Sequence, residues 1–155
     1  MQIGSIWPRG TDGHDGCNQR RDHACPFGVG HHPYLAGAPT VDELVLHVPA
    51  RTPADFAEPH TIGNTVLDTA YHDLERDDDG LVRIRAGDTT LWADEAYGYI
   101  QVFTGDLPDV ARRGLAVEPM TCPPQAFRTG EGLIRLEPGE RIEARWGILR
   151  APRSP

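Results

Sequence analysis

Long apolar runs are missing from this chain. No stretch approaches the ~20 apolar residues of a membrane-spanning helix, and the N-terminus lacks the apolar core of a signal peptide. A cytoplasmic protein with no membrane partner is therefore the expectation. Clustered basic charge is missing too. With 15 Lys and Arg against 23 Asp and Glu, the formal net charge is -8, which disfavours a phosphate backbone and excludes nucleic acid as the expected partner. Cysteine is scarce. Cys17, Cys25 and Cys122 are odd in number and irregularly spaced, so neither a disulfide framework nor a zinc site is indicated, and free thiols fit a reducing compartment. There is no internal repeat and no long helical period.

What remains is a turn-rich chain. At 155 residues it suits one domain, and 17 Gly with 14 Pro favour many short strands over a helical bundle. From Pro26 the pattern is legible. Leu44, Leu46 and Val48 alternate as a strand that ends at Pro49, and residues 50–65 form a loop or a short strand with a loop. Asp77-Asp78-Asp79-Gly80 lacks the spaced ligands and closing Glu of a calcium loop and reads as a hairpin turn. Strands follow over 81–84, 89–92 and 98–103, then over 133–136 and 141–148 across a Pro-Gly turn. Such spacing predicts an antiparallel β-sandwich. Residues 1–24 show neither a period of two nor one of 3.6, and are expected to be a disordered or loosely attached arm.

Three stretches carry candidate chemistry. In Gly114 to Gly132, apolar Leu115, Val117 and Met120 flank Glu118, and Pro119 follows at once. Proline removes a ladder donor, so Glu118 is expected to be the last ordered residue of its strand, either a solvated carboxylate or one held rigidly for catalysis. His31-His32-Pro33-Tyr34 is the second stretch and Leu67-Asp68-Thr69-Ala70-Tyr71 the third. Adjacent side chains on a strand point to opposite faces, so His31 and His32 are not expected to share a metal. On residue type alone, Asp68 equally suits an Asx turn, and Tyr34, Tyr71 and Phe127 equally suit the core.

The segments GVGHHPYL, LDTAYHDL and VEPMTCPPQAF, in that order and closed by LEPGERIEARWGI, resemble the aldose 1-epimerase (galactose mutarotase) family over about Pro26 to Ile148. The resemblance implies an all-β fold, the antiparallel β-sandwich of the galactose mutarotase-like supersandwich, lacking its N-terminal strands. It implies cofactor-free, metal-free interconversion of the α and β anomers of an aldohexose. Glu118 would be the base at the C1 hydroxyl, and His32 the acid at the ring oxygen, facing each other across a gap one hexose wide. Asp68 would accept a sugar hydroxyl, and Tyr34, Tyr71 and Phe127 would wall the pyranose. His31 would supply a supporting hydrogen bond at most. The runner-up is a non-catalytic carbohydrate-binding sandwich.

No segment before Pro26 matches the sugar-binding Arg and second active-site His that the N-terminal half of a family member supplies. Back-translated and read one base later, Asp12 to Cys25 is compatible with an alternating strand and an Asn/Gly turn resembling the family's strand before His-x-Tyr. Residues 1–24 are accordingly expected to be an out-of-frame reading, 25–150 the C-terminal part of the sandwich, and 151–155 a tail. A half-site predicts weak or absent activity and self-association through an exposed sheet face. Arg112-Arg113 could serve a phosphorylated hexose, or be a solvated turn.

Overall fold

The computed structural model describes residues 11–20, 22–35, 38–106 and 112–151. Two antiparallel sheets enclose one core. The first has six strands in the order β1 (Thr11–Asn18), β13 (Arg141–Arg150), β9 (Thr89–Ala93), β8 (Val82–Ala86), β4 (Val45–His47) and β6 (His60–Thr61). The second has five, β3 (Tyr34–Leu35), β11 (Leu115–Met120), β10 (Tyr99–Phe103), β7 (Asp68–Leu74) and β5 (Ala50–Thr52). A two-stranded piece, β2 (Cys25–Phe27) with β12 (Ile134–Leu136), a 3-10 turn at Val41–Glu43 and the short helix α1 (Ala126–Thr129) complete the described chain.

Period-two alternation builds the core. Val82, Ile84 and Ala86 of β8 and Leu91 and Ala93 of β9 turn inward from the first sheet. Ile100 and Val102 of β10, with Leu115 and Val117 of β11, turn inward from the second. Leu46 and Trp146 join the same buried cluster. Each buried Val, Leu or Ile contributes about 1.5–3 kcal/mol, and a register slip of one residue would turn these side chains out to water. Register is thereby fixed, and with it the opposite, solvent-facing surface of the five-stranded sheet, where the candidate site lies.

Three expectations need correction. First, β11 does not stop at Glu118 but runs through Pro119 to Met120, with Pro119 opposite Ile100 of β10. The Pro119 carbonyl accepts from the His31 amide at 3.1 Å, on the side away from β10. In an antiparallel strand a residue's N–H and C=O point the same way, so the donor that proline lacks is one β10 does not need. Second, residues 11–18 of the arm are not disordered. They pair with β13 along their whole length, Thr11 opposite Ile148 and Asn18 opposite Arg141. An existing strand edge imposes this pairing, not any pattern of the segment's own. Residues 1–10 lie outside the described residues. Third, Arg112 is no solvated turn residue. It reaches Asp42 at 2.6 Å and Asp106 at 2.7 Å and donates to the Gly63 carbonyl at 2.8 Å, which makes it a cross-link between loops.

The Asp-rich hairpin is a turn, as its composition predicts. Gly80 takes the left-handed conformation at φ 80, and Arg83 bridges Asp77 and Asp79, each at 2.6 Å.

Candidate active site

The outer face of the five-stranded sheet presents its side chains in rows set by strand register. One row runs from Asp68 on β7 to Phe103 on β10, Ala116 on β11 and Tyr34 on β3. The next runs from Ala70 to Gln101 to Glu118. A third contains His72, beside Thr52 of β5, and Tyr99, opposite Met120.

His32 reaches over to Glu118 of the middle row. His32 Nε2 lies 2.9 Å from Glu118 Oε1, and the two side chains are 52% and 14% exposed. The His32 ring also packs on Tyr34, with centroids 5.1 Å apart. Gln101 Nε2 donates to Asp68 Oδ1 at 2.6 Å, linking the first row to the second. Its Oε1 is buried with no hydrogen-bond partner among the described residues, an acceptor that a ligand hydroxyl could satisfy. Burial pushes the Glu118 carboxyl above its ordinary range; His32 opposes that shift and the charge of Asp68 adds to it. A carboxyl raised above its ordinary range beside an imidazole is suited to proton transfer.

Of the residues singled out in the sequence, His32, Glu118, Asp68 and Tyr34 come together on this face. No ring-wide gap separates His32 from Glu118; they touch. An acid and a base serving two oxygens on the same carbon need only part by that O–C–O width, so opposition across a whole hexose is not required. Tyr71 does not reach the site. It is 0% exposed within the core cluster, and burial followed by the charge of Asp55 drives its phenol far above the ordinary range. Asp68 and Tyr71 are three residues apart on one strand, so side-chain alternation places them on opposite faces. Phe127 stands apart from the His32–Glu118 contact. It is 68% exposed on α1 and lines a neighbouring pocket beyond Met120.

His31 turns away from His32. Its Nε2 lies 2.7 Å from Asp15 Oδ2, Tyr97 Oη donates to that same oxygen at 2.7 Å, and the His31 ring packs on Trp146 at 4.8 Å. The two imidazoles thus meet different carboxylates, Asp15 and Glu118, just before β3 begins. Sequence reasoning missed Gln101, His72 and Tyr99. Gln101 carries a signal that could have found it, a lone amide between Ile100 and Val102 in an otherwise apolar strand.

A family model described as aldose 1-epimerase matches residues 17–148. An uncharacterized protein of Escherichia coli (strain K12), YihR, is 30% identical over 139 residues, covering 76% of this chain and 44% of its own length. Among solved structures, a protein from Synechocystis sp. PCC 6803 superposes with a TM-score of 0.66 at 19% identity, covering 94% of this chain and 52% of that one. A GalM/aldose epimerase homologue from C. elegans gives 0.65 at 13% identity, covering 97% and 69%. These likenesses establish the galactose mutarotase-like fold. The chain spans about half the length of YihR and of the Synechocystis protein.

Proposed function

This chain belongs to the aldose 1-epimerase family, and from that premise we propose that it interconverts the α and β anomers of aldohexoses of the glucose and galactose type. The observation that carries the reading is the 2.9 Å contact between His32 and Glu118 on the sheet face that also holds Asp68 and Gln101. An acid and a base already in contact are suited to two oxygens bonded to one carbon.

A sugar entering with C1 over this pair replaces the contact with two hydrogen bonds. The C1 hydroxyl donates to the Glu118 carboxylate, and protonated His32 donates from Nε2 to the ring oxygen. Glu118 then takes the hydroxyl proton while His32 gives its own to the ring oxygen. The bond from C1 to the ring oxygen breaks and the C1 carbonyl forms. The aldehyde turns about the C1–C2 bond. Reclosure on the other face passes the proton of the attacking hydroxyl back to His32 while Glu118 returns its proton to O1, so both residues regain their starting states and atoms and charge balance without an added reactant. Asp68 and the unpaired Gln101 Oε1 accept sugar hydroxyls, and Tyr34 beside His32 supplies an apolar wall.

His32 is half exposed, so water competes for its proton and for the sugar hydroxyls, and turnover is expected to be slow. Polarimetry on freshly dissolved α-D-glucose and α-D-galactose is the test. Rotation that relaxes faster with protein present, and no longer does so in Glu118→Gln, is the expected result. Sugar binding with no acceleration would assign the face to a non-catalytic carbohydrate-binding role instead.

A further inference from the structure

Strand β1 does more than cover an edge. It sets Asp15 opposite Ala144 of β13, and Ala144 is buried, so the Asp15 side chain is turned to the inner side of the sheet. There Asp15 Oδ2 accepts from Tyr97 Oη at 2.7 Å and lies 2.7 Å from His31 Nε2, while Tyr97 Oη and His31 Nε2 are 3.3 Å apart. A carboxylate oxygen accepts, and the phenol directs its one hydrogen at it, so His31 Nε2 is the second donor. Tyr97 is fully buried, and burial followed by its bond to Asp15 raises its phenol far above the ordinary range, which keeps it a donor. The His31 ring is also packed on Trp146, with centroids 4.8 Å apart, and set edge-on to Tyr97 at 6.1 Å. β1 reaches this cluster by close approach: a Cβ at Gly13 would lie 2.2 Å from Trp146 Nε1.

His31 and His32 are bonded neighbours with opposite anchors. The His31 amide donates to the Pro119 carbonyl at 3.1 Å and the Val117 amide to the Pro33 carbonyl at 3.2 Å, which sets His32 beside Glu118 between those two bonds. β3 is the outermost strand of its sheet, so among the described residues no strand flanks the pair on the other side. The His32 ring is half exposed and rests on Glu118 and Tyr34. We propose that Asp15 is a positioning residue for His32: by holding the His31 imidazole against Tyr97 and Trp146, it fixes the orientation of the histidine pair and so keeps the His32 ring on Glu118. The inference rests on the anomer-interconversion reading of His32 and Glu118. Asp15 lies ahead of residues 17–148, the part of the chain that matches the family. It meets no substrate and acts through His31. Without its carboxylate, Tyr97 Oη and His31 Nε2 lose their shared acceptor, and the imidazole regains one by turning toward water, which moves the backbone it shares with His32. Proton transfer is sensitive to such a shift, since misplacing a reacting group by about 1 Å costs about 10²-fold in rate.

The experiment measures polarimetric kcat and KM on α-D-glucose and α-D-galactose, well below the melting temperature, in wild type, Asp15→Ala, His31→Leu, the double variant and His31→Gln. NMR cross-peaks between the His32 and Tyr34 rings, whose centroids lie 5.1 Å apart, are followed in each. Asp15→Ala and His31→Leu should each lower kcat by about 10- to 100-fold and leave KM within about twofold, because the contact acts on the reacting geometry and not on sugar binding. Both should weaken the ring cross-peaks. The double variant should lose no more than either single one, as two groups acting through one contact do. His31→Gln, whose side-chain amide still donates toward Asp15, should restore most of the rate and the cross-peaks. His31→Leu keeps Asp15 on Tyr97, so it carries the test if Asp15→Ala does not give a cooperative melt. An unchanged kcat, additive losses, or a lowered kcat with the ring cross-peaks intact overturns the positioning role and leaves the anomer reading standing. If wild type turns over neither sugar, the anomer reading fails and the cross-peaks decide alone. Their loss in both single variants with recovery in His31→Gln supports the positioning role, and their survival overturns it.

Discussion

Replacing Glu118 with Gln separates catalysis from stability at one atom. The amide keeps the shape of the carboxylate and a polar contact with His32, but takes no proton. Loss of a positioned general base costs about 10²- to 10⁴-fold in rate, or about 2.7–5.4 kcal/mol of barrier. Only 14% of the Glu118 side chain is exposed, so bulk water is a poor substitute base and the loss should fall toward the upper end. Stability should move the other way. Burial raises the folded carboxyl above its ordinary value of 4.5. The protonated form is therefore the one folding favours: its contribution is complete below that value and is lost as pH rises through the raised one. Above that raised value the ionised side chain opposes folding. The contact with half-exposed His32 offsets that by no more than about 1 kcal/mol. Glu118→Gln should thus melt higher than wild type at pH 7 and match it near pH 4. Polarimetric kcat and KM, with thermal melts at both pH values, test the pair of outcomes. A rate loss below about threefold, a loss confined to KM, or a lower melting temperature at pH 7 would refute the reasoning.

Asp68→Asn should move the acid limb of the kcat/KM profile to lower pH, because the charge of Asp68 helps to raise the Glu118 carboxyl and activity requires that carboxyl ionised; an upward shift counts against the assignment. Tyr71→Phe should leave KM for sugar unchanged, since Tyr71 lies in the core, whereas Tyr71→Ala should cost about 3–5 kcal/mol in urea unfolding; a KM effect from Tyr71→Phe without loss of stability would return the residue to the site. Arg112→Met should destabilise by about 1–3 kcal/mol in the same measurement, leaving Asp42 and Asp106 without their guanidinium partner, and should not change the kinetics of a neutral hexose.

Much of the sandwich was legible because its strands alternate. Leu44, Leu46 and Val48 are all buried, Leu46 within β4 and the other two flanking it, and Ile100 and Val102 face inward as their spacing predicts. Glu137-Pro138-Gly139-Glu140 is a turn with Gly139 at φ 84, where glycine carries no steric penalty. Thr11–Asn18 was illegible because a strand can be recruited by a waiting edge without a pattern of its own. Pro119 misled because its penalty depends on which neighbour needs the missing donor, and that is a property of the sheet. The error at Tyr71 was avoidable, since its odd spacing from Asp68 already excluded a shared face.

Residue order singled out His32 and Glu118 as candidates and called for a chain of short alternating strands. It also held the parity that assigns each side chain to one face or the other. Tertiary structure decided the rest: that these two touch rather than face each other across a sugar's width, that Gln101 ties Asp68 to their row, and that Phe127 lies beyond them at a separate pocket. The physical reason is register. Hydrogen-bond pairing between β7, β10 and β11 brings residues dozens of positions apart into one row, and no local pattern encodes which rung of one strand meets which rung of the next.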